Sequence, residues 1–321
     1  MTSLRVGKNI ALHLSKGRAM AAGTDVKQTL GAQGILVRAV EPADGDECAR
    51  IVYEAFAGVH DYHRFPRDFP TVEAASQLTG SLIAHPRFWG VVAEADGRIV
   101  GSNFLDERGP VLGVGPITID PGVQGCGVGR RLMEEVIGRG AGARGIRLFQ
   151  DSFNMQSIAL YASLGFEVRE PAVVMTGTPE GGPPSGIEVR SLEEGDVAEC
   201  ERLCLRVHGF ERTDELRDAF RAPMLSPVVA VRDGRITAYA TTVTFFPAAY
   251  GVAETEDDMC ALIAGALVGG EVPASFIVPT RQGVLFRWCL SQGLRPIKPL
   301  TYMTLGEYRK PQGGWIPSIL Y

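Results

Sequence analysis

Apolar and polar residues alternate along Ile35–Val40 (ILVRAV), as they do in a strand with one face in a core. The period then changes. In Asp44–Phe56 (DGDECARIVYEAF) the apolar positions recur three and four residues apart behind acidic starters, which predicts a helix. Phe88–Glu107 reads as a hairpin with Asp96-Gly97 at its turn. Val111–Asp120 (VLGVGPITID) reads as another strand, Gly127–Ala141 as a helix and Gly145–Asp151 as a strand. Asn154–Gly165 (NMQSIALYASLG) reads as a helix closed by its glycine, and Glu170–Gly177 as a final strand.

Residues 178–186 (TPEGGPPSG) hold three prolines and three glycines, the composition of a linker. After it the pattern restarts. IEVRSLEEGDVAECERL echoes ILVRAVEPADGDECARI, and VVAVRDGRITAYATTV echoes VVAEADGRIVGSNF. The second copy trails by 152 residues at Arg38 and Arg190, by 137 at Asp96 and Asp233, and by 128 at Gly165 and Gly293, a drift that shorter loops explain. The chain is expected to divide into a disordered leader (1–34), a first unit (35–177), the linker (178–186), a second unit (187–306) and a tail (307–321). The tail ends in GGWIPSILY, which is too apolar to fray and should pack on the body.

Charge narrows the functions. Residues 1–34 carry five basic residues against one acidic, and the rest of the chain 27 basic against 36 acidic. An acidic body argues against nucleic acid as a partner and suits a cationic small molecule. No apolar run reaches the roughly 18 residues of a membrane span, so no membrane partner is expected. The six cysteines stand singly, which suggests reduced thiols and a cytoplasmic setting. Cys200, Cys204 and His208 fall on one face of a predicted helix; no fourth ligand suggests itself, so a buried face is read there and no metal is expected.

The stretch that carries chemistry is Gln124–Arg131 (QGCGVGRR). A glycine-rich loop between a strand and a helix start cradles phosphate, because free N–H groups and the helix dipole point outward and no Cβ blocks approach. A P-loop is excluded, since no Gly-Lys-Ser/Thr follows. The dinucleotide fingerprint GxGxxG is not met, although Asp151 ends the next strand about where a ribose-binding acid would stand. Gln124, Gly127 and Gly129 match [QR]-x-x-G-x-[GA], and Asn154, Ser157, Tyr161, Gly165 and Phe166 follow as N-x-x-S-x-x-x-Y-x-x-x-G-F. Together they resemble the cofactor motif of the GNAT superfamily of acyl-CoA N-acyltransferases. The resemblance covers the first unit well and the second in outline, and so resembles a tandem GNAT protein.

That resemblance implies an α/β fold of two GNAT-like units, each a mixed, mostly antiparallel sheet flanked by helices. It implies acetyl-CoA as co-substrate, a primary amine on a small molecule or protein as acceptor, and direct transfer. A homodimer is a further expectation. Ile117, Thr118, Ile119, Gln124, Gly125, Cys126, Gly127, Val128, Gly129, Arg130, Asn154, Ser157 and Tyr161 would contact the cofactor, on a strand that Gly113 and Gly115 bulge. Tyr161 would be the general acid for the departing thiolate. Candidates for the base or acceptor anchor are Glu107, His60, His63, Asp120 and the terminal carboxylate of Tyr321. The second unit looks disarmed: Glu254, Glu256, Asp257 and Asp258 replace the cradle behind a Thr255–Asp258 capping box, Trp288 replaces the tyrosine, and Arg281 stands near the asparagine's place. The alternative from another class is a non-catalytic acyl-CoA sensor or interaction protein.

Overall fold

The computed structural model describes residues 34–320. The expected leader lies outside them except for Gly34, and so does Tyr321. Strands β1 (Leu36–Ala39), β2 (Phe88–Ala95) and β3 (Arg98–Asp106) form an antiparallel meander, with helices α1 (Gly45–His63) and α2 (Val72–Ala84) between the first two. Then come β4 (Val111–Val114), β5 (Thr118–Ile119), α3 (Val128–Arg139), β6 (Gly145–Asp151), α4 (Met155–Ser163) and β7 (Glu167–Gly177). The second half repeats the series as β8 (Ile187–Ser191), α5 (Val197–His208), α6 (Thr213–Arg221), β9 (Val228–Arg232), β10 (Arg235–Ala240), β11 (Gly251–Ala253), α7 (Glu256–Ala266), β12 (Ala274–Pro279), α8 (Gly283–Ser291) and β13 (Arg295–Gly306). A short β14 (Gly314–Ile316) closes the chain.

The internal repeat reaches atomic detail. Arg38 grips Asp44 through two hydrogen bonds of 2.7 and 3.0 Å, and Arg190 grips Asp196 with the same pair of distances. Each aspartate also closes a capping box, with Glu41 or Glu193, that starts the following helix. The two hairpin turns match as well. Asp96 and Gly97 have φ of 52° and 72°, and Asp233 and Gly234 have 53° and 72°, the left-handed pair that a two-residue hairpin needs.

The sheets do not sort by repeat. A nine-stranded sheet runs β1-β2-β3-β4-β6-β13-β7-β12, with β5 also paired to β3. Strand β13, from the second half, lies between β6 and β7 of the first and is antiparallel to both. Conversely β7 is flanked by β13 and β12. Each half thus lends its last long strand to the other. Ala172, Val174, Leu300, Tyr302, Phe149 and Trp315 form a buried cluster where the loans cross. Burial there ties the halves into one folding unit.

Each half also has a wedge. Strand β4 runs parallel to β6 for three pairs, ending at Gly113 and Arg147. Beyond them β5 stays on β3 while β6 keeps only β13, its partner on the other edge throughout, so the strands part. The single strand read over Val111–Asp120 is therefore two, interrupted at Gly115-Pro116, whose peptide is cis. In the second half β11 and β12 part likewise, and β14 fills the gap by pairing with β11. Gln282 clamps it there: its Nε2 donates to the Trp315 carbonyl at 2.6 Å and its Oε1 accepts from the Trp315 N–H at 2.8 Å. From there the tail crosses to the first half, where Leu320 covers β4. A methyl group built on Gly113 would collide with the Leu320 carbonyl, so the glycine admits the chain's own tail.

Two outcomes follow from this packing. Residues 34–177 expressed alone should lack cooperative unfolding by circular dichroism, because β6 and β7 have no strand between them, and co-expression with residues 178–321 should restore it. Trp315→Ala should cost about 3–5 kcal/mol in denaturant melts, since the indole is fully buried at the crossing.

Candidate active site

The loop before α3 adopts the cradle geometry. Gly125 and Gly127 have φ of 82° and 86°, and a Cβ on either would meet nothing within 4 Å. Glycine is needed here for its backbone conformation, and the space beside it is open. Gly127 is the N-cap of α3, with no side chain capping it. Among the described residues, the amides of Gly125, Gly127, Val128, Gly129 and Arg130 find no protein acceptor; the first helical bond is from Arg131 N–H to the Gly127 carbonyl. These amides and the positive end of the helix dipole form an anion site.

The cradle opens onto a cleft of about 280 Å³ within the first wedge. Its walls include Ile117, Thr118, Ile119, Gln124, Gly125, Gly127, Val128, Gly129, Arg130, Asn154 and Ser157. Eleven cofactor candidates from the sequence thus meet around one space. Cys126 and Tyr161 do not line it; both belong to the core behind. Arg130 hydrogen-bonds Ser163 Oγ at 2.6 Å and stays exposed, whereas Arg131 turns away to the Ile35 carbonyl. Asn154 caps α4 by accepting from Ser157 N–H at 3.2 Å. Burial pushes the Tyr161 phenol up to about 12, against the lowering effect of Ser157 beside it. It therefore keeps its proton at any ordinary pH.

At one end of the cleft stands a charged cluster that the sequence reading did not assemble. His60, on the last turn of α1, is fully buried and its Nδ1 lies 2.8 Å from the Phe56 carbonyl. That contact places a proton on Nδ1 and turns Nε2 toward Asp151, 3.3 Å away, and Asp68, 3.7 Å away. Lys298 of β13 enters among them. Its Nζ lies 2.6 Å from Asp68 Oδ1 and 2.9 Å from Asp151 Oδ1, and 5.4 Å from the centre of the Phe246 ring.

Burial pulls the His60 imidazole down, but the hydrogen bond to Asp151 and the charge of Asp68 outweigh it, and its pKa is raised. Burial raises Asp68 above the usual carboxylate range despite Lys298. For Asp151 the same burial is overcome by His60 and Lys298, and its pKa is lowered. His60, Asp68 and Asp151 have ligand atoms within 4.8 Å of one another, a spacing a cation could use. The ammonium of Lys298 already supplies the positive charge there. Asp151 alone of the three also lines the cleft.

The other candidates are placed elsewhere. Glu107 is held by Arg139 at 2.8 and 3.0 Å and does not line the cleft. Asp120 forms the turn before the cradle, accepting from Gly122 N–H at 2.8 Å, and pairs with Arg50. His63 lies on α1 with His60, exposed, against Tyr62 and Phe153. Tyr321 is outside the described residues. Cys200, Cys204 and His208 make a buried helix face, and burial pushes His208 down to about 3.

The second wedge differs at each matching point. Helix α8 lies 128 residues after α4, which sets Gln282 opposite Asn154 and Cys289 opposite Tyr161, one position along from the Arg281 and Trp288 read in the sequence. Of the expected capping box only half forms: the Asp258 N–H donates to Thr255 Oγ1 at 3.1 Å, while Asp258 Oδ2 accepts from the Thr255 hydroxyl at 2.6 Å and not from its N–H. Glu256 accepts from the first amides of α8, and Asp258 is buried against Arg232. Carboxylates and the tail occupy the space that is open in the first wedge.

Comparison with known proteins agrees with this geometry. Residues 52–166 match the Acetyltransferase (GNAT) family. The chain is 29% identical over 143 residues to the N-alpha-acetyltransferase RimI of Mycobacterium tuberculosis, covering 43% of this chain and 82% of that one. It is 31% identical over 137 residues to an uncharacterised protein of Mycobacterium leprae, covering 41% of this chain and only 34% of that longer relative. In structure it is similar to an acetyltransferase-named protein of Pyrococcus horikoshii, with a TM-score of 0.68 at 15% identity over 97% of this chain and 99% of the other. Among the described residues no helix is long and apolar enough to cross a membrane. Residues 52–166 thus carry the GNAT family match, and the fold of the whole chain is that of solved structures, among them a tandem GNAT protein to which it is similar with a TM-score of 0.54 at 15% identity over 87% of this chain and 99% of the other.

Proposed function

We propose that the first unit is an acyl-CoA-dependent N-acetyltransferase that moves an acetyl group from acetyl-CoA directly to a primary amine. The observation that carries this reading is the set of unpartnered amides around Gly127, at a helix start, opening on a cleft. They suit a diphosphate. Arg130, exposed on the cleft wall, adds a positive charge. Among the described residues strand β5 pairs only with β3, and a pantetheine arm would run along Ile117–Ile119, where the Gln124 side chain now donates to the Ile119 carbonyl at 3.2 Å. The family match and the relative named as an N-alpha-acetyltransferase support acyl transfer to an amine.

Direct transfer has three requirements. The ammonium must lose a proton, the oxyanion must be stabilised, and the thiolate should leave protonated. The amine nitrogen then bonds to the thioester carbon, the C–S bond breaks, and the sulfur takes up a proton. Tyr161 suits that last step, because burial keeps its phenol protonated and Ser157 connects it to the cleft wall. Asn154 would hold the cofactor arm.

Gly127→Asp should weaken CoA binding at least about tenfold by calorimetry while the melting temperature barely moves. Aspartate tolerates the left-handed backbone and caps a helix well, but it sets a carboxylate in the anion site. Tyr161→Phe should lower kcat at least about tenfold in a thiol-release assay with little change in CoA affinity. An unchanged kcat contradicts the assignment.

A further inference from the structure

The cleft holds a single acid. Among the described residues that line it only Asp151 is an Asp, Glu or His, so among them a base acting on an amine there is Asp151 or a group reached through it. Asp151 ends β6 and touches His60 with Oδ2 and Lys298 with Oδ1. Neither His60 nor Lys298 lines the cleft, and both are buried. Behind them Asp68 holds the far side of the ammonium through both its oxygens, at 2.6 and 2.7 Å. The cluster draws on α1, the loop after it, β6 and β13. Three of these belong to the first half, and β13 is the borrowed strand.

We propose that the second unit completes the active site of the first: Lys298 is a positioning residue that fixes Asp151 at the cleft, where Asp151 receives the acceptor's ammonium and relays its proton to His60. This rests on the acyl-CoA reading above and adds to it the route of the proton and the role of the second unit. The step balances. The ammonium gives one proton to Asp151, Asp151 gives one to His60 Nε2, and the free amine keeps the electron pair that forms the new C–N bond. His60 is placed to receive it, since its Nδ1 already donates to the Phe56 carbonyl and its Nε2 lies 3.3 Å from Asp151, with the Lys298 ammonium 3.4 Å away and Asp68 behind at 3.7 Å.

Lys298 does two things there. Its charge favours the ionised forms of Asp68 and Asp151 side by side, against the burial that raises Asp68. It also moderates His60. The charged groups facing that imidazole are Asp68, Asp151 and Lys298, with the Asp61–Arg67 ion pair outward on its own helix. The signs are opposite. Removing the cation should raise the imidazole's pKa and removing Asp68 should lower it. A relay through His60 needs the neutral imidazole, so activity rises with pH through that pKa. The acidic limb of kcat/KM should lie above 6.5, the ordinary value for histidine.

The test uses the full chain with acetyl-CoA and a panel of primary amines, following thiol release against pH, with CoA binding measured separately by calorimetry. Lys298→Met should bind CoA as the parent does, lose at least about thirtyfold in kcat, and move the acidic limb up by about one pH unit. Lys298→Arg should recover part of the rate. Asp68→Asn should move the limb down. Should Lys298→Met not fold, the Asp68→Asn shift and the titration of the His60 imidazole by NMR carry the test instead. A Lys298→Met chain with parental kcat and limb, or an Asp68→Asn limb that stays put or moves up, overturns the proposal alone. Failure of the parent chain to bind CoA overturns the acyl-CoA reading on which it stands.

Discussion

The hydrogen-bond ladder between β13 and its two neighbours is the constraint on which the rest of this structure depends. With β13 between β6 and β7, the first half has no complete sheet of its own, and the second half keeps a five-stranded sheet (β14-β11-β10-β9-β8) while its β12 and β13 join the shared one. The exchange buries Leu300 and Tyr302 at the crossing and carries Lys298 to Asp151, behind the wall of the first wedge. A charged side chain on such a strand would be costly without partners, and its two carboxylates and the Phe246 ring supply them. Folding energy and site geometry thus meet in one strand.

The two wedges show how one architecture can be open or closed. In the first, glycines with left-handed backbone leave amides facing space. In the second, Glu256 occupies the amides of α8, and the tail pairs with β11 as a peptide-like arm would. Gln282 holds that tail from the position Asn154 takes in the first half. The same backbone chemistry that would receive an extended ligand here receives the chain's own C-terminal segment.

Much of this was legible in local pattern. Alternation marked the strands, Asp96-Gly97 and Asp233-Gly234 marked the hairpin turns, and the echo of Arg38–Asp44 in Arg190–Asp196 marked the repeat. The loop Gln124–Arg131 showed through its glycines because backbone conformation dictates that residue. The strand exchange left no such mark, since β7 and β13 read as ordinary strands wherever they pair. The charged cluster was hidden for a related reason: Asp151 is distant in sequence from His60 and Asp68, and Lys298 reaches them only through the exchange. One signal was present, a lysine in the middle of the strand RPIKPLTYMTLG, and its buried pairing with Asp68 and Asp151 accounts for it. Gly113 was read as bulging the cofactor strand and proved to admit Leu320, a contact with the chain's far end that its neighbours in sequence do not announce.

The central claim is that the open wedge binds acyl-CoA and the plugged one does not. A calorimetric titration of the full chain with CoA tests it most directly. The account predicts saturation at one CoA per chain. Saturation at two, or no binding at all, contradicts it.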